Sequence, residues 1–152
     1  MENNITNITY FIQAAVAPVF LLAGVAGLLN VFTGRLTRVI DKVESIDADI
    51  YQKTLENPDY HIDEKIRKRR EFLIKRMKNI NWSIFFGTST GFMVAMVILT
   101  IFSSELFNFD GQILISILFI TSMISLAFSL FLFLREIRHT ILFIKVKSSL
   151  YE

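Results

Sequence analysis

Three long stretches without a charged residue dominate the pattern of apolar and polar positions along the chain. They cover residues 3–34, 79–104 and 111–134. Each stretch is long enough for the roughly 20 predominantly apolar residues that a membrane-spanning helix needs. The pattern therefore predicts three spans, which lie at about residues 10–34, 81–104 and 112–134.

Helical periodicity continues beyond the first span into charged sequence. Apolar residues recur at helical spacing as far as Ile50, with charged residues between them, and the first strong helix-breaking signal is Pro58. A second apolar stripe starts near Ile62 and runs into the second span. The pattern predicts one helix from about residue 10 to 56 and a return helix, which together form an antiparallel hairpin over residues 35–80.

The third apolar stretch also continues as a helix once charges return. Ile137, Ile141 and Ile144 keep the helical spacing, which predicts a C-terminal helix extension over residues 135–150. The predicted fold is an all-α membrane protein that forms a single membrane domain over residues 1–152. Its three transmembrane helices extend into a cytoplasmic helical hairpin and bundle.

The first helix presents two different packing surfaces when its residues are placed at 100° per step. One side carries large apolar residues, and the opposite side carries small and polar residues such as Gly27, Asn30 and Gly34. Small residues let helices approach closely in lipid. Either the third helix or a second copy of the protein covers this small-residue side, and we favour the second copy. The large residues, which we expect to face the second helix, are Leu21, Val25, Leu28 and Phe32.

Self-association through the small-residue side would bring a defined set of residues close to a central axis. A pore can be built from neutral polar groups and hydrophobic constrictions. Gln13 and Asn30 could supply the polar groups, and Phe20 the constriction. Each polar residue could equally act as a hydrogen-bonding contact between helices. The candidate pore or oligomer face consists of Gln13, Phe20, Gly24, Gly27, Asn30, Val31 and Gly34.

Lysine and arginine are confined to two regions of the chain. Of the 16, twelve lie within residues 35–78 and four follow Leu134. Since positive charge stays on the cytoplasmic side of a membrane, we expect the N-terminus outside and the C-terminus in the cytoplasm. Anionic lipid headgroups are expected partners of the Arg76 and Lys78 end of the hairpin. The candidate interface and headgroup anchors are Arg35, Arg38, Asp41, Arg76, Lys78 and Trp82.

The sequence offers little for catalysis. It has no cysteine and only two histidines, His61 and His139, and no predicted span holds an ionisable residue. Proton-coupled transporters usually place such a residue in the membrane, and no nucleotide-binding or hydrolase motif is present. We therefore expect neither an enzyme nor a bound metal or cofactor. The basic run at residues 65–78 faces acidic residues 41–49 across the hairpin, so we expect ion pairs there and no nucleic-acid binding.

Two segments carry a resemblance to a known family. AAVAPVFLLAGVAGLLNVFTGRLTRVID at residues 14–41 and RKRREFLIKRMKNINWSI at residues 67–84 resemble the signature of an uncharacterised bacterial membrane-protein family, filed as a domain of unknown function. The resemblance covers most of the chain. It implies a three-span protein of the bacterial inner (plasma) membrane, and it carries over no functional residue.

Two hypotheses for function follow. The first is a homo-oligomeric membrane protein that forms an ion-conducting pore lined by the first helix. The alternative is a membrane-anchored scaffold or adaptor, which binds a cytoplasmic partner through the hairpin at residues 35–80.

Overall fold

The protein consists of three long helices in the part of the chain that the structure describes. The computed structural model describes the backbone of residues 2–57, 60–107 and 109–148. Side chains are described for Thr9 and for residues 12–57, 60–104, 106–107 and 109–138. The helices are α1 (Glu2–Glu56), α2 (Glu64–Phe107) and α3 (Gln112–Ser148). All three are long and apolar enough to cross a membrane.

The helix starts follow from local sequence. Asp63 is the N-cap of α2, and its carboxylate accepts a hydrogen bond from the backbone N–H of Lys65. At the start of α3, the carboxylate of Asp110 accepts a hydrogen bond from the backbone N–H of Gln112, the first helical residue. The start of α1 at Glu2 differs from the start near residue 10 that we expected. No glycine or proline interrupts residues 2–10, so nothing in that segment stops the helix.

The side of α1 that packs against α2 repeats every seven residues. Its fully buried positions are spaced by seven from Pro18 to Ile46, and half-buried residues lie at the same spacing from Leu22 to Ile50. A seven-residue repeat keeps one seam facing a partner helix when the two supercoil with a left-handed twist. The buried positions are Pro18, Val25, Phe32, Val39 and Ile46, and the half-buried ones are Leu22, Leu29, Leu36, Val43 and Ile50.

The expected α1–α2 contact is present, with a shift within the apolar segment. Val25 and Phe32 are buried as expected. Leu22 and Leu29 are the leucines that approach the glycines of α2, rather than Leu21 and Leu28. Beyond the apolar segments, a core of Val39, Ile46, Leu73 and Ile80 holds together what we call the charged hairpin, residues 35–56 of α1 and 64–80 of α2.

Helix α2 is the central helix, because it packs against both α1 and α3. It makes extensive contact with both α1 and α3, whereas α1 and α3 touch each other at only a few residues. One such contact is between the rings of Phe32 and Phe133, whose centroids are 4.3 Å apart. The third helix therefore packs on α2 and leaves the small-residue side of α1 open.

Candidate functional site

The candidate residues of α1 all lie on the side that points away from α2, which we call the outward face of α1. All seven predicted residues are exposed, with Phe20 exposed to 73% and Val31 to 52%. Four of them repeat every seven residues, so they stay in line along the supercoiled helix. These four are Gln13, Phe20, Gly27 and Gly34.

The glycines of α1 and α2 differ in what surrounds them. A Cβ atom added at Gly24, Gly27 or Gly34 would meet nothing within 4 Å. A Cβ atom at Gly87 of α2 would lie 2.9 Å from Leu29 Cδ2 and close to α3 as well. The α2 glycine is therefore used for packing inside the chain, and the three α1 glycines are not.

The polar residues on the outward face differ in how their hydrogen bonds are satisfied. The hydroxyl groups of Thr33 and Thr37 donate to carbonyl oxygens one turn earlier in α1, at Leu29 and Thr33. The side-chain amides of Gln13 and Asn30 make no hydrogen bond within the described residues. An unpaired amide facing hydrocarbon costs several kcal/mol by order of magnitude. A partner outside the described residues would satisfy these two amides where the face meets hydrocarbon.

The predicted anchors do not form one group. Arg35 is exposed, and its guanidinium lies 4.9 Å from the ring centroid of Phe133 on α3. Arg38 and Asp41 are exposed on α1, and neither forms an ion pair with any described residue. On α2, Lys78 and Trp82 are both exposed.

Arg76 has a partner inside the chain. Its Nε atom lies 2.6 Å from Oε1 of Glu136, whose side chain is 4% exposed. The pair joins α2 to α3 at the point where the apolar sequence gives way to charged sequence. Sequence reasoning missed Glu136, because a single acidic residue after an apolar stretch gives no signal of burial. Its spacing of seven from Ser129 places both residues on one side of α3, which by itself indicates neither burial nor a partner.

Serine hydroxyls also join α2 and α3. Ser129 donates to the backbone carbonyl of Ser83 at 2.7 Å, and Ser125 donates to that of Phe86 at 2.9 Å. Such bonds hold helices together where lipid offers no hydrophobic driving force. The described buried side-chain polar atoms all have partners. The interface between α2 and α3 is therefore closed and satisfied, unlike the outward face of α1.

A partly exposed ion pair joins the two helices of the charged hairpin. Arg70 donates two hydrogen bonds to Asp47, from Nε to Oδ1 at 2.6 Å and from Nη2 to Oδ2 at 3.1 Å. These hydrogen bonds lower the pKa of Asp47 and raise that of Arg70, and the opposite charges act in the same direction. The pair fits the ion pairing that the sequence predicted across the hairpin.

Three apolar side chains are exposed near the end of the charged hairpin that is farthest from the apolar segments. Tyr51 and Leu55 at the end of α1 are each 67% exposed, and Ile62 before α2 is 47% exposed. Lipid cannot reach them if the apolar segments span the membrane. They are therefore exposed apolar side chains outside the bilayer, at the hairpin end.

The described side chains contain no group of three or more His, Cys, Asp or Glu residues that could hold a metal ion. His61 is exposed in the connection before α2. The side chain of His139 lies outside the described residues.

The fold and the distribution of its apolar surface define the chain as an all-α membrane protein with three helices that can span the bilayer. Residues 15–146 match the family described as "Protein of unknown function (DUF2721)", and the chain belongs to that family. The resemblance to an uncharacterised family that its signature segments indicated is therefore confirmed. No curated protein and no solved structure matches the chain.

Proposed function

We propose that this protein self-associates through the outward face of α1 and that the assembled first helices line an ion-conducting pore. The observation that carries the proposal is the unpartnered state of this face. It combines three glycines with open space above them and two amides without hydrogen bonds, within a segment long enough to cross a membrane. A second copy supplies both close packing and hydrogen-bonding partners.

The outward face continues without interruption into the charged hairpin. Counting by sevens from Gly34 leads to Asp41, Ala48 and Leu55, and all of them are exposed. Arg38, one turn before Asp41, is exposed and without an ion pair among the described residues. In a parallel assembly with the copies in register, Arg38 of one copy lies about 4.5 Å along the axis from the level of Asp41 of its neighbour, which is within reach of an arginine side chain. Opposite charges at this separation favour a contact between copies over a contact with lipid chains.

The same seven-residue line gives the pore its lining. In a ring of parallel α1 helices, Gln13, Phe20, Gly27 and Gly34 form successive layers along the axis. The amide layer offers polar groups to a passing ion, and the phenylalanine layer forms a hydrophobic constriction that gates by excluding water. No charged residue is needed for such a pore.

Single cysteine substitutions along residues 13–41 test the proposal, because the natural chain contains no cysteine. Crosslinking between copies is expected at Gly27 and Gly34, together with labelling by an aqueous thiol reagent at Phe20 and Gln13. Cysteine in place of Val25, which is buried against α2, is the matched control and should give neither. A monomer in bilayers, with no crosslink at any outward position, would sink the proposal. Crosslinks without aqueous labelling would support the oligomer and contradict the pore.

We further propose that the protein lies in the bacterial inner membrane with its N-terminus outside and its charged hairpin and C-terminus in the cytoplasm. The confinement of lysine and arginine to residues 35–78 and to the segment after Leu134 supports this orientation. A cysteine at Asp110 should react with an impermeant thiol reagent in intact cells. A cysteine at Gln52 should react only after the cells are lysed, and the reverse result would invert the orientation.

A second candidate function is a membrane-anchored scaffold, and the exposed Tyr51, Leu55 and Ile62 favour it. Apolar side chains grouped outside the bilayer are typical of protein contacts. A photoreactive residue at position 55 should then crosslink to a soluble protein in cells, and one at the exposed position 44 should not. Adducts at position 55 that contain only a second copy of this chain would instead support self-association along the whole outward face.

A further inference from the structure

A basic surface borders the single tryptophan of the chain. Lys75, Lys78 and Trp82 are spaced by three and four residues on α2, so they lie on one side of the helix. Both lysines are exposed, and Trp82 is 49% exposed where the apolar segment of α2 begins. Tryptophan is enriched at this depth of a bilayer, where its ring sits among lipid headgroups.

The register between α2 and α3 adds an arginine to this surface. The rings of Phe86 and Phe128 are stacked with centroids 6.0 Å apart, on the same edge of the α2–α3 interface as Trp82. The helices run antiparallel, so one seven-residue step toward the charged sequence leads to Asn79 on α2 and to Arg135 on α3. Arg135 is exposed. The register therefore places Arg135 on the same edge of the α2–α3 interface as Trp82.

The charges of this surface are not neutralised by any residue that the structure describes. Lys75, Lys78 and Arg135 form no ion pair with any described residue. The buried carboxylate of Glu136 is paired with Arg76, which is the neighbour of Lys75 in sequence. On the same side of α2, Glu71 lies one turn beyond Lys75, farther from the apolar segment, and it forms no ion pair either. Three cations with an aromatic ring at the membrane boundary thus lack an anion.

We propose that Lys75, Lys78 and Arg135 bind the phosphate of an anionic phospholipid and that Trp82 lies against the glycerol and upper acyl region of the same lipid. The cations attract an anionic headgroup, and the arginine can bind its phosphate through two N–H groups. The exposed ring of Phe85, which contacts Trp82 edge-on with centroids 5.7 Å apart, offers apolar surface to the acyl chain. Arg76 has no part in this site, since its guanidinium is used by Glu136. The site requires membrane insertion, and it does not require a pore.

The single tryptophan makes the proposal measurable. The full chain is reconstituted into vesicles of phosphatidylcholine that contain a fixed fraction of phosphatidylglycerol, and one of the two lipids carries bromine near the headgroup end of its acyl chains. Brominated phosphatidylglycerol is expected to quench the fluorescence of Trp82 several-fold more per molecule than brominated phosphatidylcholine. Replacing Lys75, Lys78 and Arg135 together with glutamine should reduce that ratio to about one.

A matched control variant distinguishes binding at this site from non-specific electrostatic attraction of the anionic lipid to the protein. Lys65, Arg67 and Arg69 are equally exposed on α2 but lie farther from the apolar segment, and their replacement with glutamine removes the same charge. This control variant should keep the preference for the anionic lipid. The proposal is overturned if the control loses the preference too, or if the Lys75, Lys78 and Arg135 variant keeps it. Circular dichroism verifies that both variants remain helical.

Discussion

The Nε atom of Arg76 on α2 lies 2.6 Å from Oε1 of Glu136 on α3, and the Glu136 side chain is almost completely buried. A carboxylate removed from water is costly unless a charged hydrogen bond compensates it. The Arg76 contact therefore fixes the register between α2 and α3 at the end of their apolar segments. The same register sets the position of Arg135 in the basic surface.

Replacing Arg76 with methionine should destabilise the fold, because it removes a charged hydrogen bond from a buried carboxylate. The expected loss is about 1.5–3 kcal/mol. The matched control is Lys68→Gln, which removes the exposed ion pair with Glu64, whose side chains are 71% and 65% exposed. An exposed pair contributes at most about 0.5 kcal/mol. Thermal unfolding in detergent measures both, and equal losses would contradict the structural assignment.

The hydrogen bonds from the serines of α3 to the carbonyls of α2 predict that two serine-to-alanine variants of α3 differ in stability. Ser129→Ala removes a hydroxyl that donates to the Ser83 carbonyl, and a loss of about 0.6 kcal/mol is expected, as for other hydrogen bonds between membrane helices. Ser116→Ala removes a hydroxyl that donates to Gln112 within the same exposed turn of α3, so its effect should be close to zero. Denaturant-induced unfolding of the two variants, compared with the natural chain, checks the difference. A larger loss for Ser116→Ala would contradict the α2–α3 register.

Much of the fold could be predicted from the sequence. The charge-free stretches predicted three spanning helices, and the periodicity after the first span predicted that α1 continues to residue 56. Within the apolar segment, the leucines beside the α2 glycines are Leu22 and Leu29, each one position after a leucine that we expected to face α2. Placement at 100° per step selects Leu21 and Leu28, but a seam that repeats every seven residues drifts by about 20° per repeat relative to a straight helix. Supercoiling therefore brings Leu22 and Leu29 to α2 instead.

The candidate face was predictable, whereas the pairing of charged residues was not. Gly27, Asn30 and Gly34 share a side of α1 by local spacing alone, and the structure brings them together on the outward face. The contact between Arg76 and Glu136 joins residues 60 positions apart. It depends on how α3 docks against α2, which no local pattern determines.

The ion pair of the charged hairpin predicts a specific dependence of stability on pH. Hydrogen bonds from Arg70 hold the pKa of Asp47 below its ordinary value of 3.8. The pair therefore stabilises the folded hairpin above pH 3.8, and the contribution is lost as pH falls through the lower folded-state pKa. Asp47→Asn should lower the melting temperature slightly at neutral pH, because both side chains are about two-fifths exposed. The difference should vanish in acid, and a difference that grows in acid would contradict the assignment.

The contrast between Gly87 and Gly27 separates packing within one chain from packing between copies. Gly87→Val inserts atoms where Leu29 Cδ2 lies 2.9 Å from the added Cβ, so overpacking should cost about 1–3 kcal/mol of fold stability. Gly27→Val makes the same chemical change where nothing lies within 4 Å, so the isolated chain should unfold as the natural one does. The proposed oligomer should dissociate in Gly27→Val, as measured by crosslinking in bilayers. If both variants unfold early, Gly27 belongs to the internal packing; if Gly27→Val assembles normally, the outward face of α1 is not the contact between copies.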